Sequence, residues 1–183
     1  MGLLLSVQQR FILDALRKLG CVRRSQLLLL TREKFRQSDL VISEARMEAM
    51  LRQLRHGMGD FRLEGDLVKL SAAPPNVLRL EAIDVMLELT QGAPLEFDAR
   101  VKTPLLLQFT WGPDTGTARP FTVATLPGPG EPGGSLMERH LRARVVWISD
   151  TGSPPDGLAL PSKHFFAARL PDGSHRFYGS NGP

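Results

Sequence analysis

The stretch Ser43–Leu70, SEARMEAMLRQLRHGMGDFRLEGDLVKL, decides how this chain is to be read. Met47, Met50, Leu51 and Leu54 recur at three- and four-residue spacing, which lays an apolar stripe along one side of a helix. That helix is expected from about Leu40 or Ser43 to His56, with Gly57 and Gly59 ending it. Arg46, Ala49, Gln53 and His56 fall on a second line of the same cylinder, flanked by Arg52 and Arg55. Next come Phe61-Arg62-Leu63, the turn Glu64-Gly65-Asp66, and Leu67-Val68-Lys69-Leu70, which predict a short β-hairpin turning at a glycine.

Working outward toward the N-terminus, Ser6 is placed to cap a helix running to about Leu19. Phe11, Ile12, Ala15, Leu16 and Leu19 form its apolar face, and Gly20 stops it. After the link Cys21-Val22-Arg23-Arg24, Ser25 is expected to cap a second helix through Gln26-Leu27-Leu28-Leu29-Leu30, followed by a loop from Thr31 to Asp39. Three helices and then a hairpin is the order of a winged helix-turn-helix. A recognition helix needs one face on its own domain and another free for the groove. Arg46, Arg52, Gln53, Arg55 and His56 are therefore the expected DNA contacts, with Ala49 permitting close approach. Arg62 and Lys69 on the hairpin are expected to clamp a flanking phosphate or the minor groove. Glu44 and Glu48 oppose this reading if they face the phosphates, and winged helices also serve as protein-interaction modules.

Charge placement favours nucleic acid. Residues 1–73 hold 13 Lys/Arg against 8 Asp/Glu, whereas residues 74–183 hold 10 against 11. Phosphate neutralisation is local, so the excess in the first part says more than the overall charge of +4. With one cysteine in 183 residues, an internal disulfide framework is excluded. No apolar run approaches the ~20 residues that a membrane-spanning helix needs. The opening Met1-Gly2-Leu3-Leu4-Leu5-Ser6 fits an N-myristoylation pattern, but an ordinary lead-in to the first helix is the favoured reading. The expected location is cytoplasmic, with no membrane partner.

Ala72-Ala73-Pro74-Pro75 breaks both periodicities and divides the chain into residues 1–73 and 76–183. Beyond it a helix is expected from Val77 to Leu89, closed by Gly92-Ala93-Pro94. Strands follow at Leu95–Phe97, Leu105–Trp111, Phe121–Leu126 and Arg144–Ser149, with a short helix from Ser135 to Leu141. A final hairpin joins His164–Leu170 to Ser174–Tyr178. The fold class is thus α+β: a winged helix-turn-helix and then a mixed α/β sheet domain.

Residues Gln8–Leu16 and Leu19–Leu27 resemble the opening helix of the winged-helix replication-relaxation and mobilisation accessory proteins of bacterial plasmids and conjugative elements, and their turn into the second helix. The build is also similar to that of an uncharacterised bacterial family, which implies no function. The α-β-β-β-α-β order of the second part is similar to the core of PD-(D/E)XK nucleases, a restriction-endonuclease-like arrangement. That pattern places an acid at the start of the second strand and an acid-x-Lys in the third, because a hard cation needs clustered carboxylates and the attacking water needs a lysine. Here Thr103-Pro104-Leu105 puts leucine at the acid's place, and Phe121–Leu126 has neither acid nor lysine. Glu81, Glu88, Asp98 and Asp114 remain as stray carboxylates, read as solvated helix and turn residues. The resemblance therefore implies a degenerate, catalytically dead domain.

No other site stands out. His56, His140, His164 and His175 lack metal-ligand spacing, although His164 and His175 could be cross-strand neighbours in the last hairpin. Cys21 reads as a small apolar residue, Ser135 and Ser149 lack the context of a nucleophile, and the loop with Gly128, Gly130, Gly133 and Gly134 lacks the Lys-Ser/Thr of a phosphate-binding loop. Most of Trp111, Phe121, Trp147, Phe165, Phe166 and Phe177 are expected in the core, with Trp111 at a strand end able to line a partner groove. The expectation is a non-enzymatic double-stranded DNA-binding accessory or regulatory factor of a bacterial mobile element, with no cofactor or metal. Its second domain would dimerise or recruit a protein partner. The alternatives are a metal-dependent nuclease with a migrated active site and a protein-interaction module.

Overall fold

The computed structural model describes residues 4–38, 41–112, 116–126, 143–153, 160 and 163–179. Among these residues the chain is a mixed α+β fold with four helices and two sheets. Gly2, Asp114, the Gly128–Gly134 loop, the helix expected at Ser135–Leu141 and His140 lie outside the described residues.

Helix α1 (Val7–Leu19) starts at a reciprocal cap: Gln9 N–H donates to Ser6 Oγ at 3.2 Å, and Ser6 N–H donates to Gln9 Oε1 at 3.0 Å. It ends where Gly20 adopts φ 79° and returns its N–H to Leu16 O at 2.8 Å. Cys21–Arg23, expected as a link, forms strand β1, because an antiparallel neighbour is available 45 residues or so away that only the folded chain supplies. Helix α2 (Arg24–Lys34) begins before Ser25, so that serine is not the cap; the Gln26 side chain takes the Arg23 N–H at 2.8 Å instead. The helix also continues through Thr31 into the expected loop, since Leu30 and Thr31 are buried against the rest of the molecule. Helix α3 (Glu44–Gly57) is followed by the hairpin β2 (Arg62–Glu64) and β3 (Leu67–Lys69), and the three strands are ordered β1-β3-β2, all antiparallel.

Pro74-Pro75 lies between β3 and α4 (Val77–Thr90), which ends with Gln91 at φ 53° and Gly92 at φ 81°. The second sheet contains β4 (Glu96–Asp98), β5 (Leu105–Trp111), β6 (Arg119–Thr125), β7 (Arg144–Ser149), β8 (His164–Arg169) and β9 (His175–Gly179), in sequence order across the sheet. Strands β6, β7 and β8 run parallel, and the outer pairs are antiparallel. The register makes two faces. One carries Phe97, Phe109 and Phe121, then Leu107, Val123, Val146 and Phe165; the other carries Leu105, Ala124, Trp147, Phe166 and Tyr178.

The first face shares a single apolar cluster with α4 and with all three N-terminal helices, from Ile12 and Leu51 to Ile83, Val146 and Ala167. Polar ties cross the same boundary. Arg23 pairs with Asp84, while Gln26 Nε2 donates to Asp84 Oδ1 at 2.6 Å and to Leu80 O at 2.8 Å. Ala99 N–H donates to Lys18 O at 3.0 Å. The helices of the first part are thus held against the second by burial and hydrogen bonds that neither part completes alone.

Candidate nucleic-acid interface

The apolar stripe of α3 fixes which way its cations point. Met47, Met50, Leu51 and Leu54 are all buried, at about 1.5–3 kcal/mol apiece for full burial, a sum that no exposed ion pair could outweigh. With that face committed inward, Arg46, Arg52, Gln53, Arg55 and His56 are left exposed on the solvent side, and Ala49 is half-buried beside them. Ser43 starts the helix by accepting the Arg46 N–H at 3.2 Å, and Arg32 Nε donates to Ile42 O at 2.8 Å to hold the incoming chain. Among the described residues, the side chains of Arg46, Arg52, Arg55, His56 and Arg62 carry no ion pair and no hydrogen bond. These five groups are therefore free to meet an anion without first breaking a bond.

Gln53 is different, because its orientation is set from α1. Gln9 Nε2 donates to Gln53 Oε1 at 2.8 Å while the Gln9 carbonyl serves the α1 cap. With its oxygen occupied, Gln53 keeps its amide N–H groups, which suit phosphate oxygens or acceptors on a base edge. Gln9 is 5% exposed, and this positioning role was not legible from helical spacing, which shows only that the residue is polar near a helix start.

The two glutamates that opposed an anion-binding face are treated separately by the fold. Glu48 is paired with Arg24 of α2 at 2.6 Å, so its charge is balanced. Glu44 sits in the first turn of α3, where the helix dipole favours it, well before Arg52 and Arg55.

Lys69 corrects the sequence expectation. Its side chain is 4% exposed, with Nζ 2.8 Å from Glu64 Oε2 and 3.1 Å from Ala73 O. Its ammonium therefore closes the hairpin internally and does not reach out to a phosphate. The alternation of β3 puts Val68 and Lys69 on opposite faces, and Lys69 shares its face with Cys21 and Arg62, where the chain beyond the hairpin brings Ala73 O against its ammonium. Beside it, burial pushes the Cys21 thiol up, more than the positive charge of Lys69 pulls it down, so the cysteine is held as a thiol and not as a nucleophilic thiolate.

The polar residues of the second part are joined differently from the expectation. His164 and His175 are not neighbours: His175 pairs with Arg169, and His164 lies at the other end of β8. Glu81 is half-buried, and Glu88, although exposed as expected of a solvated helix face, is tied to the last hairpin. Glu88 accepts the His175 N–H at 3.0 Å and lies 3.2 Å from its Nδ1, while Glu81 lies 3.3 Å from Nε2. Arg169 pairs with Glu81 and, at 2.6 Å, with Asp150. Burial raises the Glu81 carboxyl, but Arg169 and His175 outweigh it, leaving the group below the ordinary carboxylate range. The Arg169 guanidinium is correspondingly raised, chiefly by Glu81. This is a clamp between α4 and the last hairpin.

In the nuclease arrangement the acids would lie on adjacent strands. Here β5 and β6 set Leu105 opposite Ala124 and Gln108 opposite Thr122. Asp98 is held by Arg100 at 2.6 Å. Among the described residues, no three His, Cys, Asp or Glu side chains are grouped to hold a metal ion. No helix among them is long and apolar enough to cross a membrane.

No family model, curated protein or solved structure matches the chain.

Proposed function

We propose that this chain is a non-enzymatic double-stranded DNA-binding protein whose residues 1–73 act as a winged helix, with α3 in the major groove and β2–β3 as the wing. The observation that carries this is the set of uncommitted groups on one side of α3 and on β2: Arg46, Arg52, Arg55, His56 and Arg62, with Gln53 braced by Gln9. An element order of helix, strand, two helices and hairpin, with strands ordered β1-β3-β2, supports it. So does the exposure of that face, which no described residue of the second part covers. Phosphate contacts from the arginines would set register, and Gln53 would reach a base edge. A role as accessory factor of a bacterial mobile element, acting from the cytoplasm, follows from the resemblance of residues 8–27 alone. The second sheet, whose element order resembles that of a nuclease in sequence but lacks the acids, would serve as the platform for a partner or a second copy.

The test is binding of the purified chain to a labelled duplex, with plasmid and Mg²⁺ or Mn²⁺ in a parallel reaction. Binding that weakens steeply with salt, without nicking, is the expected result. Nicking that Glu88→Ala or Asp98→Ala removes would replace this reading with that of a nuclease. Absence of duplex binding at low salt would favour a protein-interaction module.

A further inference from the structure

We propose that the cavity between the C-terminal end of α2 and the edge of the second sheet binds an unpaired nucleotide, its base against the aromatic wall and its phosphate at Lys34 and Arg36. The cavity measures about 620 Å³, within the usual range for small-ligand sites. Its walls come from both parts of the chain: Phe11 from α1, Phe97 from β4 and Trp111 from the end of β5. Two of these rings are braced by another: Phe11 meets Phe35 edge-on at 5.8 Å, and Trp111 leans on Phe121 at 6.2 Å. Both Phe11 and Trp111 stay half-exposed, so aromatic surface faces the opening while the ring positions are set in advance.

The rim supplies the charge. Lys34, Arg36 and Glu33 line the same cavity; Arg36 reaches Glu33 at 3.6 Å, and Lys34 carries no ion pair among the described residues. One positive charge is therefore left over at the mouth of a cavity lined by aromatic rings. Flat apolar rings with a cationic rim match a base and its phosphate, the combination by which proteins hold single strands. An acidic peptide would satisfy the rim but offer the rings no flat face. A duplex is too wide for the cavity, since its bases are stacked on one another and closed to side chains. The inference rests on the DNA-binding reading for the source of the nucleotide, a single-stranded stretch beside the duplex held by α3.

The probe is a fluorescein-labelled ten-residue oligo-dT, followed by anisotropy, with the tryptophan indole N–H signals followed by NMR in the same titration. Trp111 is expected to shift, while Trp147, buried at 0% exposure within the other cluster, stays in place. Trp111→Phe assigns the two signals. Trp111→Leu is expected to weaken oligo-dT binding at least about five-fold, from the lower end of the range for base–aromatic stacking. Because Trp111→Leu touches Phe121, Lys34→Ala with Arg36→Ala gives a second, surface-only variant, expected to weaken oligo-dT while leaving duplex binding by α3 unchanged. An unmoved Trp111 signal, equal displacement by decaglutamate, or full binding by the Lys34/Arg36 variant overturns the inference. Loss of duplex binding with oligo-dT binding intact would instead overturn the role of α3 alone.

Discussion

Changing Arg46, Arg52 and Arg55 together to alanine separates a DNA-reading helix from an Arg-rich surface. Together with Arg62 these are four permanently charged, exposed side chains without ion pairs among the described residues. If each neutralises one phosphate, log K against log salt has a slope of about −3.6, at about 0.9 per phosphate. Raising salt from about 50 to about 200 mM would then weaken wild-type binding about 150-fold. The triple variant keeps Arg62, so its slope falls to about −0.9 and the same change in salt costs only about 3.5-fold. The assay is fluorescence anisotropy with one duplex across that range of salt. Stability supplies the control, since exposed positions of this kind move folding by within about 0.5 kcal/mol each, so the triple variant is expected to keep its Tm to within about 6 °C. A triple variant with Tm inside that range and an unchanged slope would refute the assignment of α3 to the phosphates.

Three further outcomes follow from the same geometry. Lys69→Met is expected to lower Tm by removing the Glu64 and Ala73 bonds while leaving the salt slope at its wild-type value; a slope reduced by about 0.9 would return the lysine to the interface. Arg24→Ala frees the Glu48 carboxylate on the flank of α3, so duplex binding should weaken about two- to five-fold, and Glu48→Gln in that background should restore it; no rescue would mean that Arg24 contacts DNA directly. Glu81 is held below its ordinary value of 4.5 in the folded state, so its contribution is fully present above that pH and is lost as pH falls through the lower folded value. Acid unfolding followed by circular dichroism should accordingly be less steep in Glu81→Gln, and an identical acid limb in both proteins would refute the clamp's role.

Much of the element order was legible because local periodicity needs no knowledge of partners. The stripe of Met47, Met50, Leu51 and Leu54 is buried as its spacing required, and α4 and the strands β5 and β7 lie where their apolar runs put them. The candidate face on α3 was legible for the same reason, since burying one side of a helix exposes the other. Lys69 was misjudged because strand alternation shows that two faces exist but not that the chain just past β3 turns back and sets Ala73 O against the ammonium.

The sequence by itself determined where α1, α3, α4 and the strands β5 and β7 form, and that positive charge gathers in the first 73 residues, because these depend on neighbours within a few positions along the chain, whereas β1 and the last turn of α2 do not. Tertiary structure decided which charged groups are paired across distant segments. Arg24 meets Glu48 across 24 residues, Arg23 meets Asp84 across 61 and His175 meets Glu88 across 87, so each pairing exists only after distant segments are packed together. A side chain's chemistry is written in its type, but its availability depends on which partners folding brings within hydrogen-bonding distance.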